Sequence, residues 1–129
     1  MPHSLDEAKK PKKWIEYAKA ELAIAEIPLP EGGFYEQFCF HAQQAAEKSL
    51  KGILVKLGVE FPFTHDLQLL LDILADDISV PTELYDIVEL NAYSVMIGYP
   101  GASEPITEHE YSRAIQLARM AIEWAESII

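Results

Sequence analysis

Three groups of side chains in this 129-residue chain have types and spacings that suit chemistry. His41, Gln44 and Lys48 stand at i, i+3 and i+7 in an alanine-rich stretch, so a helix would bring them to one side. Such a row fits an anionic ligand: Lys48 brings charge, Gln44 an amide that reads a base or ribose, and His41 a donor. The plainer reading makes His41 a satisfied core or interface histidine and has Lys48 pairing in solvent with Gln44 or nearby Asp side chains. His65 and Asp66 fall at the expected start of another helix, where backbone N–H groups and the helix dipole favour anions. There, too, a plainer reading exists, with Thr64 and His65 as caps. His41 and His65 converge if the intervening loop folds back beside the longer helix. Tyr93 and Tyr99 flank Gly98; their rings suit stacking on a base, or wedging a helix end against its neighbour.

Other chemistries find no residues to carry them. There is no paired-histidine spacing on one helix and no cysteine cluster for a metal, and no nucleophile elbow or phosphate loop. Asp76 and Asp77 are adjacent, so they point apart at a helix end. The lone Cys39, between Phe38 and Phe40, reads as a buried small apolar residue and suits a reducing compartment. No catalytic residue, no metal and no cofactor is expected from these patterns.

The elements that must position these groups are helical throughout. A first helix is expected from about Lys9 or Pro11 to Ile27, with Trp14, Ile15, Ala18, Leu22 and Ala25 on its apolar stripe. Ser4 and Glu7 have capping-box spacing, which allows an earlier start with Pro11 causing a bend. The second helix spans about 33–57; Ala42, Ala45 and Ala46 allow close approach of a neighbour, while Gln43, Glu47, Lys48, Lys51 and Lys56 mark a polar side. Gly58 is its expected left-handed stop. A short third helix covers about 66–75. A fourth opens at Ser79 and Pro81 and carries Leu84, Ile87, Val88, Ala92 and Val95. Thr107 and Glu110 form a capping box for a fifth that runs to the C-terminus. No repeat and no alternating strand pattern interrupts this. The expected fold is one all-α domain over 1–129, an up-and-down antiparallel bundle of four to five helices.

Composition sets the outer bounds. Half the residues are hydrophobic, enough for a chain of this length to bury a core without a staple. No apolar run nears the ~20 residues of a membrane span, and no signal core follows Lys9–Lys13, so a cytoplasmic protein away from membranes is expected. The formal charge of −11 is uneven: residues 1–56 hold eight basic and eight acidic side chains, whereas 57–129 hold only Arg113 and Arg119 against thirteen acids. Phosphate backbones are repelled by that second half, so DNA is not expected as a partner.

The stretches Phe40 to Lys51, Thr64 to Leu67 and Tyr93 to Gly101 together resemble those of the HEPN family of small prokaryotic helical proteins. Phe40-His41-Ala42-Gln43-Gln44-Ala45-Ala46-Glu47-Lys48-Ser49-Leu50-Lys51 resembles the family's signature helix. Thr64-His65-Asp66-Leu67 resembles its "THDL" turn, and Tyr93 to Gly101 the stretch that often reads "ARYPG". The resemblance implies a four- or five-helix bundle, often a homodimer and commonly encoded beside a minimal nucleotidyltransferase partner. It also implies nucleotide binding, for which His41, Gln44, Lys48, His65, Asp66, Tyr93 and Tyr99 are the candidate residues. Some branches of the family are ribonucleases acting in toxin–antitoxin systems, with an Arg followed four to six residues later by a His. Here all four histidines, His3, His41, His65 and His109, precede Arg113 and Arg119, and Gly98 stands where relatives often carry Arg. Gly supplies no charge or hydrogen-bond fork for a scissile phosphate. A non-catalytic, interacting member is therefore expected, with dimerisation covering surplus apolar surface around Phe34, Phe38, Cys39 and Phe40. The rivals are a ribonuclease using His41 or His65 with Lys48, and a small-nucleotide sensor.

Overall fold

A computed structural model describes residues 5–94 and 104–129 of the chain. The described residues form helices joined by turns and loops, with no strand among them: α1 (Leu5–Ala8), α2 (Pro11–Ala25), α3 (Glu36–Leu57), α4 (Leu67–Ala75), a 3-10 segment (Thr82–Tyr93) and α5 (Glu108–Ile128). The expected all-α bundle is the fold found. None of these helices is long and apolar enough to cross a membrane.

α3 is the central rod. α2 and α5 make the largest contacts with it, and α4 and the 3-10 segment close the remaining side. A helix packed all round can bury almost every side chain, and from Ala45 to Leu54 every residue of α3 is buried. Small residues bring α2 close: Ala42, Ala45 and Ala46 are fully buried, and a Cβ on Gly52 would lie 3.0 Å from Cβ of Trp14. Trp14, Ile15, Ala18 and Ala25 supply the α2 face of this contact. α3 ends where Gly58 turns left-handed at φ 70°, a conformation that costs other residues a Cβ clash with the following carbonyl.

The first expected helix begins at Pro11, one of its two expected starts, and ends at Ala25, while the fourth differs from its expected form. Leu5–Ala8 is a separate turn before α2, because Pro11 at the first position of α2 offers no N–H to continue a helix through Lys9 and Lys10; Ser4 lies outside the described residues. Thr82–Tyr93 is a run of 3-10 turns, not an α-helix. Its buried residues are Leu84, Ile87 and Leu90, with Tyr93 packed on the core beside them. That spacing of three is the period at which 3-10 side chains eclipse, so a single edge of the segment faces α3. Val88, assigned to the apolar face on an α-helical period, is only half-buried. Val95 and Gly98 lie outside the described residues. At α5 the expected capping box is present: Thr107 Oγ1 accepts from Glu110 N–H at 3.1 Å, and Glu110 Oε1 accepts from Thr107 N–H at 3.0 Å.

Candidate functional site

Of the polar side expected for α3, only Lys56 is exposed to solvent. Gln43, Glu47, Lys48 and Lys51 are all buried. A charge taken out of water is costly unless a partner meets it, and here each one is met. Two carboxylates do this with the same wiring. Glu21 of α2 accepts from Lys48 Nζ through Oε2 and bonds His41 Nδ1 through Oε1 at 2.6 Å. Glu47 of α3 accepts from Lys51 Nζ through Oε2 at 2.9 Å and bonds His65 Nδ1 through Oε1 at 2.9 Å. Each glutamate thus joins one lysine of α3 to one histidine. The first triad ties α2 to α3; the second ties the α3–α4 loop to α3.

Amides complete the second triad. Gln43 Nε2 donates to the His65 carbonyl at 3.1 Å and to Glu47 Oε1 at 3.3 Å, while Gln44 Nε2 donates to Gln43 Oε1 at 2.8 Å. The Lys51 ammonium also lies 5.8 Å from the ring centre of Phe61 and 5.9 Å from that of Phe63. In both triads Nδ1 faces the carboxylate, so Nε2 is the ring nitrogen left for another partner. His65 is half exposed at 49% of its side chain and His41 less so at 28%. Glu21 feels two opposed effects: burial pushes its carboxyl up, and the hydrogen bonds and charges of Lys48 and His41 outweigh that and leave it lowered.

The remaining candidates lie elsewhere. Asp66 is the N-cap of α4: its Oδ1 accepts from Gln68 N–H and from Asn91 Nδ2, both at 3.0 Å. Asn91 Oδ1 in turn accepts from Leu67 N–H at 3.0 Å, tying the 3-10 segment to the start of α4. The cap is therefore Asp66, not His65; Thr64 Oγ1 accepts from Asp66 N–H, one step earlier. Tyr93 packs on the core, and burial, aided by Cys39, Glu110 and Glu89, pushes its phenol up to about 12. Tyr99 lies outside the described residues. Lys48 pairs with neither Gln44 nor an Asp in solvent; its partner is Glu21, 27 residues earlier.

Glu21, Gln43, Glu47 and Lys51 were not among the sequence candidates. Two signals pointed to them. Glu21 falls at the helical spacing of Trp14, Ala18 and Ala25, a carboxylate on an apolar stripe, and Gln43, Glu47 and Lys51 form an i, i+4, i+8 row beside the histidine row.

The HEPN domain model matches residues 11–128. The chain belongs to the HEPN family. Two solved structures are similar to it. TT1696 from Thermus thermophilus shares 32% identity at a TM-score of 0.76, covering 92% of this chain and 98% of that one. ST0689, described as an archaeal HEPN homologue, shares 26% identity at a TM-score of 0.70, covering 92% and 96%. No curated protein matches. For this HEPN chain, the stretch Phe40–Lys51 that carries the resemblance is the segment that holds most of both triads.

Proposed function

We infer that this HEPN domain, a single unit over 1–129, is a non-catalytic binding and interaction protein. It works as a homodimer in the cytoplasm and pairs with a nucleotidyltransferase-type partner. The observation that carries this reading is the closure of the α3 row. Lys48 and Lys51, the two lysines beside the histidines, are each already paired with a buried carboxylate. A ribonuclease site needs uncommitted positive charge aimed at the scissile phosphate, and these two ammonium groups are turned inward on glutamates. The triads then serve to brace α2 and the α3–α4 loop on α3, holding the outer surfaces in register for partners.

Surface character supports partner binding. Phe34 is 64% exposed and Phe63 87% exposed, on the loops that lead into and out of α3. Large aromatic side chains in that state are the anchors interfaces favour. Light scattering and co-purification with the candidate nucleotidyltransferase test the reading together. A dimer and a stable complex are expected; a monomer of about the chain mass at tens of micromolar, with no complex, defeats it.

A second reading rests on the free ring nitrogens. Both histidines are oriented by a carboxylate through Nδ1, an arrangement that also suits a base or a nucleotide donor. In that reading His41, Gln44 and His65 contact a nucleotide and Lys48 acts only after leaving Glu21. Calorimetric titration with nucleotides, and an RNA degradation assay with His41→Ala and His65→Ala controls, address it. Heat or cleavage lost in those variants would favour this reading over the first.

A further inference from the structure

Glu26 at the end of α2 and Glu126 in the last turn of α5 are charges of the wrong sign for their helix ends, but Arg119 and Lys19 meet them; two other ends carry wrong-sign charge that no ion pair among the described residues offsets. α2 begins with Lys10 as its N-cap residue and Lys12 and Lys13 in its first turn, with no acidic residue there and no side-chain cap. The N-terminus of a helix is already positive, so lysines there raise its potential further. α4 ends at Ala75 with Asp76 as its C-cap and Asp77 next, and no basic residue in its last turn. The C-terminus of a helix is already negative, and two carboxylates deepen it.

These charges are left open by the fold. Lys13 pairs with Glu16 and Lys19 with Glu126, but Lys9, Lys10 and Lys12 form no ion pair among the described residues, and all three are exposed. Asp76, Asp77 and Glu83, at the end of α4 and the start of the 3-10 segment, are likewise exposed and unpaired among the described residues. No Lys or Arg occurs between residues 57 and 112, so the acidic side has no local cation to call on. The face leading to Asp76 also carries apolar surface. Leu69 is 38% exposed, Ile73 is half-buried one turn later, and Asp72 and Asp76 complete that row.

We propose that these two ends meet between copies: the lysine-bearing start of α2 in one protomer docks on the acidic end of α4 in the other. The inference rests on the homodimer reading above and names its surfaces. A twofold axis makes the contact occur twice and closes the assembly. It also lets a chain of net charge −11 associate with itself, because each contact joins an uncompensated cation cluster to an uncompensated anion cluster. Leu69 supplies the apolar area beside it, and the charges fix the register.

The test uses the full chain and two triple variants. One is Lys9→Glu, Lys10→Glu, Lys12→Glu; the other is Asp76→Lys, Asp77→Lys, Glu83→Lys. The three lysine changes and the two aspartate changes give their helix ends the sign the dipole favours, and only Glu83→Lys, in the exposed first turn of the 3-10 segment, runs against it, so both variants are expected to fold with a Tm close to that of the wild type by circular dichroism. Sedimentation equilibrium is read at ~0.05 M and ~0.5 M NaCl, where dimer affinity is expected to fall about tenfold or more. Each variant alone is expected to be monomeric, since its altered patch meets one of like charge. Mixed one to one, the two variants are expected to recover the dimer, because both contacts then join opposite charges. A wild-type monomer at both salt concentrations overturns the homodimer reading and this inference with it. A wild-type dimer that persists in either variant, or variants that do not dimerise on mixing, overturns this inference alone and leaves the dimer to another face.

Discussion

Glu47 and His65 lie 18 residues apart in the chain and meet at 2.9 Å, the carboxylate 1% exposed and the imidazole half in water. The bond crosses the boundary between core and surface. Behind it stands Lys51, 2% exposed and bound to the other oxygen of the same carboxylate. The α3–α4 loop is thus held to the central helix by a buried charge rather than by apolar packing alone.

Removing Glu47 should therefore cost more than removing His65. Glu47→Ala strands the Lys51 ammonium in the core, a loss of about 3–5 kcal/mol in chemical denaturation. The double variant Glu47→Leu, Lys51→Met should recover most of that, since an apolar pair of similar size needs no partner. A double variant as unstable as the single one would show that the carboxylate acts other than by neutralising Lys51.

Acid should loosen the α2–α3 contact through Glu21. Its carboxyl is held below the ordinary value against the opposing pull of burial, by Lys48 and His41. A carboxyl lowered on folding contributes stability that is complete above its unfolded pKa and lost as pH falls through the folded one. Thermal melts of the wild type should therefore drop on the acid side of ~pH 4.5. In Glu21→Gln that acid-limb loss should shrink, while stability at neutral pH falls. Parallel acid limbs in the two proteins would assign the loss to other carboxylates.

Cys39 should be inert while the chain is folded. It is fully buried, and burial, with Glu36 and Glu110 adding to it, pushes the thiol up to about 12. The thiolate is the reactive form. A thiol reagent at neutral pH should label it only after denaturation, and labelling of the native protein at the rate of a free thiol would contradict the packing.

The period of the 3-10 segment can be read by mutation. Ile87 is fully buried on its inward edge, and Val88 is half-buried beside it. Ile87→Ala should cost ~2–4 kcal/mol and Val88→Ala ~1 kcal/mol or less in urea unfolding. Equal costs would fit an α-helical face instead.

The helical elements were legible because their signals are local. The α3 stop at Gly58 and the capping box of α5 each depend on residues within one turn, and both stand where the sequence puts them. The 3-10 segment was misread for a related reason. Leu84, Ile87 and Val88 fit a period of 3.6, Leu84 and Ile87 fit one of three equally well over so short a stretch, and the alignment of Leu90 and Tyr93 on the same edge decides the case. The polar row of α3 was misread for a different one. Gln43, Glu47, Lys48 and Lys51 have the composition of a solvated face, and only the partners of those residues show that it is buried.

The sequence by itself determined that this chain makes helices, where most of them start and stop, and that His41, Gln44 and Lys48 share one side of the longest. Hydrophobic period, caps and breakers act within a few residues, so no distant part of the chain is needed to read them. Tertiary structure alone decided that Glu21 closes on Lys48 and His41, and that Glu47 closes on Lys51 and His65. Except for Glu47 and Lys51, those partners are 18 to 27 residues apart. Their pairing follows from which faces of α2, α3 and the α3–α4 loop are pressed together, where a buried charge must find its opposite.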